Sequence, residues 1–189
     1  MSCGTIDTGS AADCEALPIG GTRARILVMN YEDIEGYTET ADGTITAIDL
    51  VTGAFAYEFT GFRNDVKKSE EVIKPDVGIP KFKHLVGWVI YERTQIQKNN
   101  VENLARGPFV VIVENKGKDS TSFEVVGKGV GVQIVAGPIR NAHENGGFFV
   151  LNFATADDEG ELEPKLPQTL LVTDYATTLA YINSLLPAS

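Results

Sequence analysis

The chain has 189 residues, of which 43% are hydrophobic and 22% are charged, and this is enough for one domain with its own core. A formal net charge of −10 argues against nucleic-acid binding, which requires clustered Lys and Arg side chains. No apolar run reaches the roughly 18 residues that a membrane-spanning helix requires. The N-terminus also lacks the basic and apolar stretches of a secretory signal. The sequence therefore predicts no membrane span and synthesis in a cytosol.

The charge is distributed unevenly along the chain. Residues 1–60 carry a net charge of −8, residues 61–128 carry +3, and residues 129–189 carry −5. An acidic body with a basic middle suits copies of one chain that meet basic face to acidic face. The alternative interpretation is a solvated acidic surface that maintains solubility.

The first 20 residues are mostly small or polar and cannot supply a hydrophobic core. We expect a flexible N-terminal arm over residues 1–20, ordered only against a neighbour, and a single β-rich domain over residues 21–189. The only two cysteines, Cys3 and Cys14, lie in this arm. They are interpreted either as reduced thiols or as a disulfide that closes the arm.

Strands are predicted from Arg23 onward, because apolar and polar residues alternate there with period two. The first three are Ala24–Met29, Thr44–Leu50 and Ala54–Phe59. Asp42-Gly43 and Thr52-Gly53 lie between these runs, where a hairpin would turn. The pattern indicates an antiparallel meander.

The next segment, Lys67 to Pro80, is rich in charge and contains two prolines, so we expect a long exposed loop. Phe82 to Tyr91 follows as a strand with His84 and Trp88 on one face. The opposite face is also partly apolar. This pattern is typical of a strand buried on both sides, or buried on one side and in a subunit interface on the other.

One amphipathic helix is predicted over residues 94–106, covering a sheet, because its apolar residues recur at helical spacing until Gly107-Pro108. A second helix is predicted over residues 174–186, with Thr173 or Asp174 as its N-cap. The remaining predicted strands are Phe109–Val113, Ser122–Val126, Val130–Ala136 and Phe148–Ala154.

No pattern in the sequence predicts catalysis or a bound cofactor. The glycine-rich run Gly127–Val132 lacks both the spacing and the following helix of a phosphate-binding loop, which favours a twisted hairpin or close backbone approach. The acidic run Asp157–Glu163 lacks the ligand order of a calcium loop, leaving only a weak cation site as the alternative. His84 is expected to be a hydrogen-bonded core or interface side chain, and His143 is expected to lie in a hairpin loop. The sequence predicts a protein that is not an enzyme, with no catalytic, cofactor-binding or metal residues.

The order of these features resembles the tail-tube (major tail) proteins of bacteriophages. The resemblance covers about Gly20 to Leu170. It begins with Ile19–Arg25 and Asn30–Ile34 and continues through the strand, the helix and the strand Phe109–Glu114. It ends with Gly146–Phe153 running into Glu161–Pro167.

The resemblance implies an antiparallel β-sandwich or barrel-like fold and a virion protein of the phage tail. Such subunits form hexameric rings that stack into a tube, with other tail proteins as partners, and DNA passes through the lumen without specific binding. An acidic lumen would repel the phosphate backbone. Lys67 to Pro80 would then reach a neighbouring ring, while Ser2 to Pro18 and the terminal helix would make further contacts.

Three alternatives remain at this point. The first is a connector or terminator ring of the virion that does not stack. The second is a monomeric β-sandwich binding module, for instance for a carbohydrate, although the single tryptophan, Trp88, lies in a strand with apolar neighbours. The third is a small β-barrel enzyme with a cofactor at a subunit interface.

Overall fold

A computed structural model describes residues 21–62, 65–74, 78–137, 139, 147–156 and 162–188. The predicted arm over residues 1–20, with Cys3 and Cys14, lies outside the described residues, as do His143 and most of the acidic run Asp157–Glu163.

The chain folds into eleven named strands, two α-helices and one short 3-10 turn within the described residues. In chain order they are β1 (Thr22–Asn30), the 3-10 turn (Tyr31–Asp33), β2 (Ile34–Glu39), β3 (Ile45–Leu50), β4 (Tyr57–Thr60), β5 (Lys67–Ile73), β6 (Lys81–Ile90), α1 (Gln95–Leu104), β7 (Phe109–Asn115), β8 (Phe123–Val126), β9 (Gln133–Ile134), β10 (Phe149–Ala154), β11 (Gln168–Thr169) and α2 (Tyr175–Ser184).

A central five-stranded sheet has the order β11-β8-β7-β1-β4, and its pairings are all antiparallel. Strand β7 begins with the apolar run Phe109–Val113, and its first six residues, up to Glu114, are buried, as expected for a strand covered on both faces. On β1, Ile26 and Val28 belong to one core cluster, while Leu27 and Met29 belong to another. Because alternate side chains of β1 point to opposite faces of the sheet, this strand contributes to both cores, one on each face.

A second sheet, with the order β5-β6-β10-β9, packs against one face of the central sheet. Trp88 of β6 stacks on Phe153 of β10 at 4.5 Å between ring centroids, and Phe109 of β7 meets Phe153 edge to face at 6.1 Å. Helix α1 places Val101 and Leu104 in the same core. It begins at Thr94, whose hydroxyl accepts the Gln97 backbone N–H.

The other face of the central sheet is covered by the β2–β3 hairpin and helix α2, which share the second core. The hairpin contributes Ile45 and Ile48, and α2 contributes Ile182. Asp174 caps α2, because its carboxylate accepts the Thr177 N–H at 2.8 Å. The central sheet therefore has one packed layer on each side.

The predicted fold class is confirmed at the level of a mainly β, antiparallel protein with two helices. The finer assignment to a sandwich or barrel stays a prediction. The helix predicted over residues 94–106 is α1, and the helix predicted over residues 174–186 is α2 with Asp174 as its N-cap.

Three local predictions are wrong. The meander is replaced by a separate β2–β3 hairpin, because β1 pairs with β4 and β7 and not with its neighbour in sequence. The turn at Thr52-Gly53 joins β3 to β4 without pairing them, whereas the turn at Asp42-Gly43 is a true hairpin turn in which Gly43 has φ +88°. The strand expected over Val130–Ala136 is reduced to Gln133–Ile134.

Candidate interaction surfaces

The first seven residues of the segment predicted as a loop, Lys67 to Pro80, instead form one strand of a hairpin. Residues 67–73 form β5, which pairs along its whole length with Lys81 to Gly87 of β6. On its other side, β6 pairs with β10 only from Leu85 onward. The described parts of this hairpin, residues 67–74 and 78–84, are called here the β5–β6 arm. Its paired strands continue past the end of β10, and two backbone bonds between Phe82 and Glu163 join the outer part of β6 to the rest of the fold.

The arm exposes large apolar side chains, which are unusual in a solvated loop. Val72 is 56% exposed and Ile79 is 69% exposed, although both side chains are large and apolar. Among the described strands β5 lies at the edge of its sheet, so no described strand pairs with one row of its backbone N–H and C=O groups. An exposed edge beside exposed apolar side chains is typical of a surface that pairs with another chain.

The arm is also basic. Residues 67–84 contain five lysines and three acidic residues. Lys68 binds Glu70 at 3.2 Å and also Glu124, so its charge is matched within the fold. Lys67 and Lys74 are exposed, and neither forms an ion pair with another described residue. Glu71 on the same strand is also exposed without an ion pair to a described residue, so these three side chains together leave a net positive charge.

The β2–β3 hairpin has the opposite charge. Residues 31–50, called here the acidic hairpin, contain six acidic and no basic residues: Glu32, Asp33, Glu35, Glu39, Asp42 and Asp49. Of these six side chains, only Glu39 forms an ion pair with a described residue, Lys128. Lys128 also donates to Gln168 at 2.6 Å and lies 5.0 Å from the Tyr37 ring centroid, which ties the hairpin to the rest of the fold.

A trough runs along the free edge of β4. One cavity of about 580 Å³ is lined by Tyr57 to Phe59 together with Asn100 and Asn103 of α1, and an adjoining one of about 350 Å³ is lined by residues 58–62. Consecutive residues of a strand point to opposite faces of the sheet. Since Tyr57, Glu58 and Phe59 all line the trough, the trough follows the edge of β4 and not one of its faces. Tyr57 is 52% exposed and Phe62 is 68% exposed at its two ends.

His84 is buried, as expected for a core side chain, and it makes two hydrogen bonds. Its Nδ1 accepts the Gly127 backbone N–H at 3.2 Å, which leaves Nε2 to donate to the Lys165 carbonyl at 2.9 Å. Burial lowers the pKa of His84 below its ordinary value, and the nearby Lys68 lowers it further, while the Lys165 carbonyl and Glu70 raise it. The residue is therefore a neutral structural link between β6 and two loops.

The glycine-rich run Gly127–Val132 binds an anion from its own chain. The Glu163 carboxylate accepts the Gly129 N–H at 2.8 Å and the Val130 N–H at 3.1 Å, and the side chain is buried. A Cβ at position 129 would lie 2.7 Å from Glu163 Oε2, so a larger residue there would have to displace the carboxylate. Burial raises the pKa of Glu163, and the two backbone N–H bonds and Lys128 partly oppose this rise.

The sequence does not distinguish Glu163 from the other acidic residues of the run Asp157–Glu163. The available signal was the Gly-Lys-Gly run, whose consecutive N–H groups form a concave anion site, but nothing in the sequence indicates which anion fills it. The site is therefore already occupied by the protein's own carboxylate. No phosphate-binding role follows from this loop.

Among the described residues, no group of three or more His, Cys, Asp or Glu side chains is placed to hold a metal ion. Within the same part of the chain, no helix is long and apolar enough to cross a membrane.

Comparisons with known proteins add no relative. No protein-family model, no curated protein and no solved structure matches this chain.

Proposed function

We propose that this chain is a structural subunit that self-assembles, and that its assembly is the ring-based tube of a phage tail. The observation that carries the proposal is the β5–β6 arm, where the edge of β5 lies beside the exposed Val72 and Ile79. A subunit that functions as a monomer gains nothing from an open edge with exposed apolar groups, which promotes association.

The role of a tube subunit also fits the charge. A net charge of −10 suits a particle through which DNA slides without being retained. A connector or terminator ring of the virion would use the same surfaces but would form only one ring. Particle length distinguishes the two forms.

The test is to purify the protein and image it by negative-stain microscopy over a concentration series, with light-scattering mass measured on the same samples. Rings or tubes are expected, and single rings of fixed mass would favour the connector. Particles that stay monomeric at every concentration reached would overturn the proposal. Deletion of residues 2–18 is expected to leave a folded monomer that no longer polymerises.

A second candidate function is a module that binds an oligosaccharide along the trough at β4. The observation that favours it is the pair of exposed aromatic side chains, Tyr57 and Phe62, with the amides of Asn100 and Asn103 on the trough. Aromatic rings stack on sugar faces, and amides bond to hydroxyl groups. Trp88 is buried in the core and does not contribute.

A glycan array followed by calorimetry tests the second candidate. Binding that is lost in Tyr57→Ala and kept in Phe55→Ala would support it, since Phe55 is a partly exposed aromatic residue that does not line the trough. An array with no bound glycan, measured on protein that forms rings, would exclude it.

A further inference from the structure

We infer that the β5–β6 arm of one copy docks on the acidic hairpin of a second copy, head to tail. This inference rests on the proposed self-assembly and names the two surfaces that make the contact.

Charge complementarity is the first step. Residues 67–84 carry a net charge of +2, and residues 31–50 carry −6. On the arm, Lys67 and Lys74 are exposed without an ion pair to a described residue, and on the hairpin Glu35 and Asp49 are in the same state. Opposite surface charges steer association and set its register.

Apolar exposure is the second step. The acidic hairpin is bordered by Val51, which is 40% exposed, and Phe55, which is 39% exposed. Val51 lies against the hairpin because its N–H donates to the Asp33 carbonyl at 2.9 Å. Val72 and Ile79 on the arm are their counterparts in size and character. On the arm, Val72 and Lys74 lie together at the end of β5, whereas Lys67 lies at its start and on the opposite face of the strand from Val72. Apolar side chains bordered by unpaired charges are the composition of an interface core with a charged rim.

Position in the fold is the third step. The arm belongs to the second sheet, which covers one face of the central sheet, and the acidic hairpin covers the opposite face. One subunit cannot join these two surfaces to each other across its own central sheet. A contact between them is heterologous, so it repeats from copy to copy and either closes into a ring or continues as a filament. A second copy of this chain is therefore the partner that the two surfaces fit.

The test is a charge swap between the two surfaces. One variant carries Lys67→Glu and Lys74→Glu on the arm, and the other carries Glu35→Lys and Asp49→Lys on the hairpin. Each variant alone places like charges at the contact, and we expect the concentration needed for half-assembly to rise at least roughly tenfold. An equimolar mixture presents opposite charges at every contact and should assemble again as an alternating polymer.

A matched control separates location from net charge. Arg106→Glu with Lys118→Glu changes the charge by the same amount as the arm variant, at two exposed residues outside both surfaces. This control should assemble like the wild-type protein. Thermal melting of all variants checks folding, and recovery in the mixture itself requires that both variants are folded.

The outcomes separate the two proposals. If the wild-type protein assembles and both charge-reversed variants assemble equally well, the arm–hairpin contact is wrong while self-assembly stands. The same holds if the mixture fails to recover. If the wild-type protein is monomeric at every concentration, the proposed function and the contact that rests on it are both overturned.

Discussion

At the scale of single residues, buried polar side chains join distant segments of the fold by hydrogen bonds. His84 and Glu163 are both buried, and both accept backbone N–H groups from the glycine-rich run that begins at Gly127. A buried acceptor of this kind stabilises the fold because removing it leaves a buried N–H without a partner. Both residues also titrate, so each gives the stability of the fold a pH dependence with its own sign.

His84 should make the protein less stable as the pH falls below about 6.5, the ordinary pKa of histidine. Its pKa is lowered in the fold, so the unfolded chain binds more protons, and the free energy of unfolding then rises with pH. The stability is present above pH 6.5 and is lost as the pH falls through the lowered pKa. Glu70, Lys68 and Lys165 are the charged residues beside it, and Glu163 titrates with the opposite sign.

The measurement compares His84→Gln with the wild-type protein by urea unfolding between pH 7.5 and pH 5. Glutamine can accept the Gly127 N–H and donate to the Lys165 carbonyl, but it does not titrate. The wild-type protein should lose up to about 1.4 kcal/mol more per pH unit than the variant. Parallel stability curves for the two proteins would show that His84 does not carry this dependence.

Glu163→Ala should destabilise the fold, and Glu163→Gln should largely preserve it. Alanine removes the acceptor of the Gly129 and Val130 N–H groups, which lie at a partly exposed turn, and each lost hydrogen bond costs about 0.5–1.5 kcal/mol. A glutamine oxygen can replace Oε1, the atom that accepts both bonds. Urea unfolding measures the two changes. Equal losses for both variants would mean that the carboxylate charge matters more than its hydrogen bonds.

At the scale of elements, the second sheet depends on close backbone approach between β6 and β10. Gly87 pairs with Asn152, and a Cβ at Gly87 would lie 2.8 Å from Asn152 Oδ1 and 3.0 Å from the Leu151 carbonyl oxygen. The backbone atom cannot move away without distorting the strand pair. This glycine has a structural function that its ordinary strand conformation does not reveal.

Gly87→Ala should therefore destabilise the protein by about 1–3 kcal/mol, the typical cost of overpacking a well-packed site. Gly36→Ala is the matched control, since Gly36 also lies in a strand and its nearest contact for a Cβ is 3.9 Å away, at Asp49 Oδ2. Chemical unfolding of both variants gives the comparison. A loss in the control equal to that in Gly87→Ala would contradict the packing argument.

The elements that can be predicted from the sequence are those in which apolar and polar side chains alternate according to which face is buried. Strand β6 alternates His84, Val86 and Trp88 toward the core, and α1 shows its apolar stripe, so both are recognisable from periodicity. Strand β5 is predicted as a loop because it is an edge strand with charged residues, such as Lys67 and Glu71, along most of its length. The alternation of apolar and polar residues that identifies a strand is therefore absent from it.

Pairing between distant segments is beyond local pattern. β1 pairs with β7 across more than eighty residues, at Met29 and Val110 for example, so the central sheet could not be derived from turn signals between neighbouring strands. The link between Glu163 and Gly129 has the same cause, because the acceptor and its donors meet only when the fold is complete. The β5–β6 arm and the acidic hairpin are both produced by strand pairing, so these surfaces could be predicted only in part from the sequence.

At the scale of the whole molecule, the central sheet separates two outer layers of opposite charge character. The acidic hairpin lies on one side and the β5–β6 arm on the other. A complementary pair of surfaces on opposite sides of one subunit gives growth with a direction, in which every open assembly has one free arm and one free hairpin at its ends.

Directional growth predicts that a variant altered on one side terminates assemblies. Glu35→Lys with Asp49→Lys keeps its arm and can join the hairpin of a wild-type copy, but its own hairpin repels the next arm. When it is mixed with wild-type protein at one part in ten, the mean particle mass should fall and open fragments should replace closed or long particles. Light scattering and negative-stain lengths on the same mixture measure this. The Arg106→Glu, Lys118→Glu control, added at the same ratio, should leave the mass unchanged because both of its assembly surfaces are intact. If the hairpin variant enters the particles without shortening them, growth does not depend on the acidic hairpin, and the two layers are not the two ends of the contact.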